Sequence, residues 1–239
     1  MSSHDVLEIQ LLDFRTGFPH PEAIQSTLCV DAVAAAMDSA QLDVTIDVSG
    51  ETLALVIFCA AHDTRSEKNA LYLYNWKLGV LRTPPIPVRN SGLVFLANDI
   101  LMHPVAWDGI RLDIYHIPPL LGSTSHGQIR LLKSFMLPQV VSSGYSIGIE
   151  CRCKPNPCGD QFLPFDARPF HTSAASSILQ ISLKIRFGSQ QFSFTFQVHR
   201  KILLLPQYIG LPGSYQPPNF AHKTVPWAEW GPNNMRWVQ

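Results

Sequence analysis

Short apolar runs separated by turn residues limit most strongly how this chain can fold. The segment LDVTIDVSG at 42–50 alternates apolar and polar residues, a period of two that is typical of a half-buried strand. Ser49-Gly50 is predicted to turn the chain into TLALVIFCAA, whose two apolar faces suit a strand between two layers. ILQISLKIRFG and QFSFTFQVHRKILLL form the clearest hairpin, with Gly188-Ser189 at its turn. An all-β fold is therefore predicted.

Helical signals are weak. The chain holds 19 prolines, many of them clustered, which argues against long helices and for many short connections. The best helical candidate is the stretch 21–41, rich in alanine near its end, and either a short helix or an irregular crossover fits it. The segment 1–41 is accordingly predicted to be less regular than the rest.

The spacing of the strand blocks suggests a more specific architecture. They recur at roughly forty-residue intervals, each with an aromatic-rich strand and a turn, which is typical of antiparallel blades of a β-propeller. No clean repeat can be aligned, and only about three to four blades are covered, whereas a closed propeller needs at least about four. The prediction is one WD40-like, β-propeller-like domain over 1–239, either incomplete or closed in an unusual way.

Composition and charge exclude several classes of protein. The apolar share of 46% supplies a core, and a charged share of 15% is too low for a disordered chain. Acidic and basic residues both total 18, so no net charge directs the chain to nucleic acid or to an anionic membrane. The distribution is uneven, because 167–239 holds 1 acid and 7 bases. The simplest interpretation is that this basic part packs against the acidic remainder.

The chain termini and cysteines indicate a compartment. The first residues, MSSHDVLEIQLLD, carry acids where a signal peptide has basic residues, and the longest apolar run, 53–61, is too short to span a membrane. An odd number of cysteines, 5, without an Asn-x-Ser/Thr sequon, fits a reducing compartment. A cytoplasmic or nuclear protein without membrane contact is expected.

One short motif suggests catalysis. Gly144-Tyr145-Ser146-Ile147-Gly148 matches G-x-S-x-G, the nucleophile elbow of α/β hydrolases, in which a helix follows the serine. Here ECRCKPNPCGD follows, with Pro155 and Pro157 and no helical period, so a chance match is the favoured interpretation. The alternative that stays open is a hydrolase whose Ser146, histidine and carboxylate are assembled in space. A paired-carboxylate glycosidase is a further, motif-free alternative.

Other polar residues receive structural interpretations. Cys151, Cys153, Cys158 and His171 offer zinc-ligand chemistry, which would make a small zinc-stabilised binding module, but Cys-x-Cys lacks the usual two-residue spacing. No metal and no cofactor is therefore predicted. Several histidines lie in or beside strands and several aspartates near turns, where hydrogen bonding and capping explain them. They are His62, His103, His116, His199, Asp43, Asp47, Asp99, Asp108 and Asp113.

Two segments resemble a known family. LYLYNWKLG at 71–79 and VPWAEWGPNNMRW at 225–237 are similar to a blade strand and a distal segment of fungal F-box-associated, WD40-like propeller proteins. The resemblance extends loosely over 40–239 and implies a propeller that binds substrates for a ubiquitin ligase. It departs from the family in lacking an F-box helix bundle and in stopping directly after the second segment. A fragment, a truncated product or a scaffold alone is expected.

The C-terminal tryptophans are the candidate site. Trp227, Trp230 and Trp237 lie among prolines with Arg236 nearby, a composition that suits an exposed aromatic anchor for a partner. The predicted function is a non-enzymatic protein–protein interaction scaffold, in its narrower form the substrate-binding part of an F-box-type ubiquitin ligase adaptor. The expected partner is a protein of unknown identity, with no nucleic acid and no small-molecule ligand.

Overall fold

The structure is a computed structural model that describes residues 6–30, 42–59, 69–106, 109–120, 127–139, 145–154, 177–205 and 223–238. Strands dominate these residues and only two short helices occur among them. The prediction of an all-β chain is therefore confirmed. The contacts divide the chain into two compact units, 1–91 with 120–128 and 92–119 with 129–239. The single domain over 1–239 stays a prediction.

The first unit contains two antiparallel sheets. The smaller pairs β1 (Leu7–Gln10) with β2 (Thr27–Val30). The larger contains β3 (Leu42–Ser49), β4 (Thr52–Cys59), β5 (Ala70–Asn75), β6 (Val80–Leu81) and β7 (Ile86–Pro87). Its order is β3-β4-β5-β6, and β7 also pairs with β5.

Strand β4 follows from its sequence. Its residues from Thr52 to Ile57 are all buried, as predicted for a strand with two apolar faces. The turn from β3 into β4 runs through Gly50, whose φ of 56° is a backbone conformation that glycine adopts without steric cost. The predicted Ser49-Gly50 turn is thus confirmed.

Of the two interpretations left open for 21–41, a short helix or an irregular crossover, the described part 21–30 contains no helix. Strand β2 occupies the end of 21–30, and 31–41 lies outside the described residues. Leu28 and Val30 are buried in the same core cluster as Leu53 and Leu55, whereas Cys29 between them is exposed. Burial of every second residue is the pattern of a strand. Residues 27–30 therefore form a strand, although an alanine-rich segment follows them in the sequence.

The second unit also contains two sheets. The five-stranded sheet contains β8 (Val94–Ala97), β9 (Ile100–Val105), β10 (Arg111–His116), β11 (Arg130–Met136) and β15 (Lys223–Val225). The four-stranded sheet contains β12 (Tyr145–Lys154), β13 (Ile178–Phe187), β14 (Gln190–His199) and β16 (Met235–Val238). Their orders are β15-β11-β10-β9-β8 and β12-β13-β14-β16. Strand β15 pairs with β11 in parallel, and the other pairs are antiparallel.

Both sheets of the second unit contribute to one hydrophobic core. Alternate residues of each sheet point into it, for example Met102 and Leu112 from one sheet and Ile181 and Phe196 from the other. Helix α1 (Arg200–Leu203) follows β14, and helix α2 (Trp227–Asn234) lies between β15 and β16. The predicted hairpin is formed by β13 and β14, with Gly188 at φ 58° in its turn, and is confirmed.

The predicted propeller blades can be compared with the observed sheets. Among the described residues, the strands form four separate sheets, and no closed propeller is shown. Within that same part of the chain, no helix is long and apolar enough to cross a membrane.

Candidate interaction surface

Trp230 belongs to the core rather than to the surface. Its side chain is fully buried, its Nε1 donates to the Met136 backbone carbonyl at 2.8 Å, and its ring meets Phe135 edge-on at 5.0 Å between centroids. The bond satisfies the only polar group of a buried indole. We therefore assign Trp230 a packing role, in which it joins α2 to the strand pair beneath it.

Trp227 is half-buried and lies between the core and the surface. Its ring makes edge contacts with Trp230 at 5.6 Å and with Phe196 at 6.1 Å between centroids. It also lies directly against Gly231, one turn further along α2, where an added Cβ would overlap the indole ring. The glycine is therefore required because the ring occupies the space of a side chain.

Trp237 and Arg236 are exposed on β16, as the prediction of a surface anchor requires. Trp237 pairs with Phe196 across the ladder, with ring centroids 4.1 Å apart, and its ring also contacts Phe194 at 5.9 Å. Arg236 faces the opposite side of the sheet, because successive residues of a strand alternate between faces. Of the four predicted residues, the structure thus places two on the surface and two in packing positions.

Trp237 belongs to a larger apolar area, which we call the aromatic strip. Its members are Phe187, Phe192, Phe194 and Trp237, whose exposed fractions are 50%, 48%, 39% and 58%. Phe192 and Phe194 continue the row of inward positions that Phe196 and Val198 occupy deeper in the core. The strip is therefore the core-facing side of the four-stranded sheet, at a place where nothing among the described residues covers it.

Strand length explains the exposure. Strands β12, β13 and β14 each have 10 residues, whereas those of the five-stranded sheet have 3 to 7. At about 3.3 Å per residue, the longer strands extend well past the shorter ones. The alternation of apolar and polar residues in β13 and β14 continues to the hairpin turn. Apolar side chains therefore remain on the inner face beyond the point to which the shorter strands of the five-stranded sheet extend.

The opposite face of the hairpin is mostly polar. Lys184 forms an ion pair with Glu150 across β12 and β13, and the hydroxyls of Ser182 and Thr195 are 3.4 Å apart. This is the ordinary composition of a solvated sheet face. The exposed aromatic side chains of the sheet thus lie on one face, whereas the opposite face exposes only Ile178 and Val238 among the large apolar residues of the described strands.

A groove lies on the polar face beside β16, and we call it the C-terminal groove. It encloses about 490 Å³ between β14, β16 and the helices α1 and α2. Its polar lining comes from Gln197, His199, Asn233, Asn234 and Arg236. Its apolar lining comes from Ile178, Val198, Ile202, Pro232 and Met235. No acidic residue is among the described residues of the lining, and Arg236 gives the groove a positive charge.

A buried polar row crosses the five-stranded sheet, and it bears on the hydrolase alternative. Asp113 lies directly between His103 on β9 and Ser134 on β11. Its carboxylate accepts hydrogen bonds from the Ser134 hydroxyl and from Arg111 Nε, at 3.0 Å for the closer oxygen of the arginine pair. His103 is directed elsewhere, since its Nδ1 lies 2.8 Å from the Gly92 carbonyl oxygen.

The order of these groups differs from that of a nucleophilic triad. A triad needs the histidine between serine and carboxylate, so that the imidazole can take the hydroxyl proton. Here the carboxylate is in the middle, and His103, Asp113 and Ser134 are all buried. Burial lowers the pKa of His103, although its bond to Gly92 and the charge of Asp113 oppose the change. Burial, and secondarily Asp113, raises the pKa of Tyr115 to about 12. The row is a structural network.

Ser146 lies within strand β12 rather than at a strand-to-helix turn. The strand continues to Lys154, so the described backbone lacks the helix that a nucleophile elbow requires after its serine. Gly144 and the Ser146 side chain lie outside what the structure describes. The motif therefore supplies no geometric support for the hydrolase alternative.

Two of the four potential zinc ligands are described, and both pack into the core. Cys151 and Cys153 lie two residues apart on the same face of β12, against the apolar cluster of the second unit. Burial raises the pKa of the Cys151 thiol, which disfavours the thiolate that zinc binds. Cys158 and His171 lie outside the described residues, and the described part of the chain holds no group of three or more potential ligands.

Of the four members of the aromatic strip, the sequence pattern predicts only Trp237 as a site residue. Phe187, Phe192 and Phe194 were recognised only as strand residues, because alternation gives the face of a strand but not the length of the layer that covers it. One signal was present, namely the 10-residue length of both hairpin strands, about twice the usual strand length.

A search of protein-family models, of curated proteins and of solved structures produced no match to this chain. The fold and the site therefore define only a class of protein, namely an all-β protein with an exposed aromatic strip and an adjoining basic groove.

Proposed function

We propose that this protein is a non-catalytic interaction scaffold that binds another protein through the aromatic strip. The observation that carries the proposal is the exposure of four large aromatic side chains on one continuous face, each between 39% and 58% exposed. Contiguous apolar areas of this kind mark interaction sites, whereas isolated exposed apolar residues are ordinary.

The chemistry of the strip supports protein binding. Tryptophan is enriched among the residues that contribute most to protein interfaces, because a large rigid ring buries much area at low conformational cost. The Trp237 ring is also held in place, since it packs at a tilt against the buried Phe196 and contacts Phe194 edge-on. A partner would therefore meet a preformed surface, with little ordering cost.

The narrower role stays a proposal with one kind of support. The segments 71–79 and 225–237 resemble F-box-associated, WD40-like propeller proteins, and this resemblance favours the substrate-binding part of a ubiquitin ligase adaptor. The propeller-like architecture and a cytoplasmic or nuclear location belong to the same proposal.

Comparative affinity capture tests the general role. We would capture proteins from native lysate with the wild-type chain, with the double variant Phe192→Ser/Phe194→Ser, and with the matched control Phe14→Ser/Phe18→Ser. The control removes two phenylalanines that are 102% and 72% exposed in the first unit, far along the sequence from the strip. We expect at least one protein to be retained by the wild type and the control and lost with the strip variant. Identical captured sets from all three chains would contradict the proposal.

A further inference from the structure

Among the described strands, β16 forms an edge of its sheet beside the aromatic strip, and this edge indicates how a partner can attach. Strand β16 is the last strand of its sheet and pairs on one side with β14, and no described strand pairs with its other side. An edge of this kind presents unpaired backbone N–H and C=O groups that an extended segment of another chain can satisfy.

The two faces of β16 differ in chemistry. Trp237 lies on the apolar face with Phe196, whereas Arg236 lies opposite Gln197 on the face that bears the C-terminal groove. A strand added to β16 places alternate side chains on these two faces, because its own side chains also alternate. A residue of the added strand beside Trp237 would therefore meet an aromatic ring, and a residue beside Arg236 would meet the groove.

The charge of the groove determines which side chains of a partner it can bind. Arg236 and His199 line it, no acid does, and no described acidic side chain forms an ion pair with Arg236. The surrounding sequence is basic as well, since 167–239 carries Glu229 as its one acid against 7 bases. A carboxylate is the group that complements an arginine most directly, by paired hydrogen bonds.

We propose that β16 binds an extended segment of the partner as an added strand, in which apolar residues alternate with Asp or Glu. The apolar side chains contact Trp237, and the carboxylates enter the C-terminal groove and pair with Arg236. The inference rests on the proposed function and specifies the chemistry of the partner.

Fluorescence anisotropy with designed peptides tests the inference. The probe is a dye-labelled, acetylated peptide of alternating valine and glutamate, and its control has lysine in place of glutamate. We expect the wild-type chain to bind the glutamate peptide at least about tenfold more tightly than the lysine peptide. N-methylation of alternate residues in the glutamate peptide should abolish binding, because it removes the hydrogen bonds of strand addition.

A pair of charge-reversal variants locates the binding. Arg236→Glu should reverse the preference between the two peptides, whereas Arg186→Glu, also exposed but at the far end of β13, should preserve it. Both variants should unfold at the wild-type temperature, since both side chains are exposed. Equal binding of the two peptides, equal effects of the two variants, or tighter binding of a single-stranded oligonucleotide would overturn the inference.

These outcomes are distinct from failure of the proposed function. If the strip variant still abolishes capture of a partner while the peptides bind equally, only the strand-addition inference falls. If capture never depends on the strip, the proposed function falls, whatever the peptides do.

Discussion

At the scale of single residues, the structure shows why some predicted positions could be identified and others could not. Trp237 could be predicted as an exposed anchor from the composition around it, which includes nearby prolines and the adjacent Arg236. Trp230 could not be separated from it by composition, since its burial depends on a hydrogen bond to Met136, 94 residues away in sequence. Non-local contacts of this kind leave no mark in the local pattern.

The contact between Gly231 and Trp227 gives the first prediction. Gly231→Ala should destabilise the protein by about 1–3 kcal/mol, because the added methyl overlaps the indole ring and forces it to move. The usual gain of about 0.5–1 kcal/mol for Gly→Ala within a helix should be outweighed. The matched control is Gly148→Ala in β12, where an added Cβ meets nothing within 4 Å. Urea unfolding that shows equal effects for both variants would contradict the packing assigned to Trp227.

The buried carboxylate gives the second prediction. Asp113→Asn should cost about 3 kcal/mol, because it removes the charge that Arg111 and Ser134 surround within the sheet. Asp99→Asn is the control, since Asp99 is half exposed and lies 3.6 Å from His116, a pair for which a loss below about 1 kcal/mol is expected. A similar small loss at both positions, measured by urea unfolding, would show that the network is unimportant for stability.

His103 gives a pH dependence with a definite sign. Its pKa is lowered in the folded protein, so between the folded and unfolded values the unfolded chain binds more protons, and stability rises with pH there. The contribution is fully present above the unfolded pKa of about 6.5 and is lost as pH falls through the folded pKa. His103→Gln should reduce the loss of stability between pH 7.5 and 5. Unfolding free energies of the wild type and of the variant, measured across this range, test the prediction, and an equal loss in both proteins would contradict it.

At the scale of elements, strands could be predicted and their covering layers could not. The turns at Gly50 and Gly188 and the buried run of β4 follow from local pattern, and all three are confirmed. Helix α2 was not predicted, because Gly231 and Pro232 within it are poor helix formers, and its stability comes from packing Trp227 and Trp230 against the core. Strand β2 was missed because it is short and adjoins an alanine-rich stretch.

The hairpin β13–β14 supplies a prediction at this scale. Phe196 and Phe192 occupy the same face of β14, but Phe196 is fully buried and Phe192 is 48% exposed. Phe196→Ala should cost about 3–5 kcal/mol, as for other large core deletions. Phe192→Ala should cost well under about 1.5 kcal/mol, because less apolar area leaves a packed environment. Comparable losses in urea unfolding would mean that the strip is covered in solution and is not a free surface.

At the scale of the whole molecule, the all-β class could be derived from alternation, whereas the arrangement of sheets could not. Strand blocks at regular spacing suggested propeller blades, yet the order β12-β13-β14-β16 joins β14 to β16, between which α1, β15 and α2 lie in the sequence. Which strands become neighbours depends on contacts between distant parts of the chain, which a local period does not encode.

The proposed function depends most on the aromatic strip being a surface that another protein contacts. Site-specific photocrosslinking tests this directly: a photoreactive phenylalanine analogue is placed at Phe192 and, as a control, at the exposed Phe14. We predict that, in native lysate, the probe at Phe192 forms a covalent adduct with a distinct second protein and that the probe at Phe14 does not. Absence of an adduct at Phe192, or the same adducts at both positions, would contradict the account.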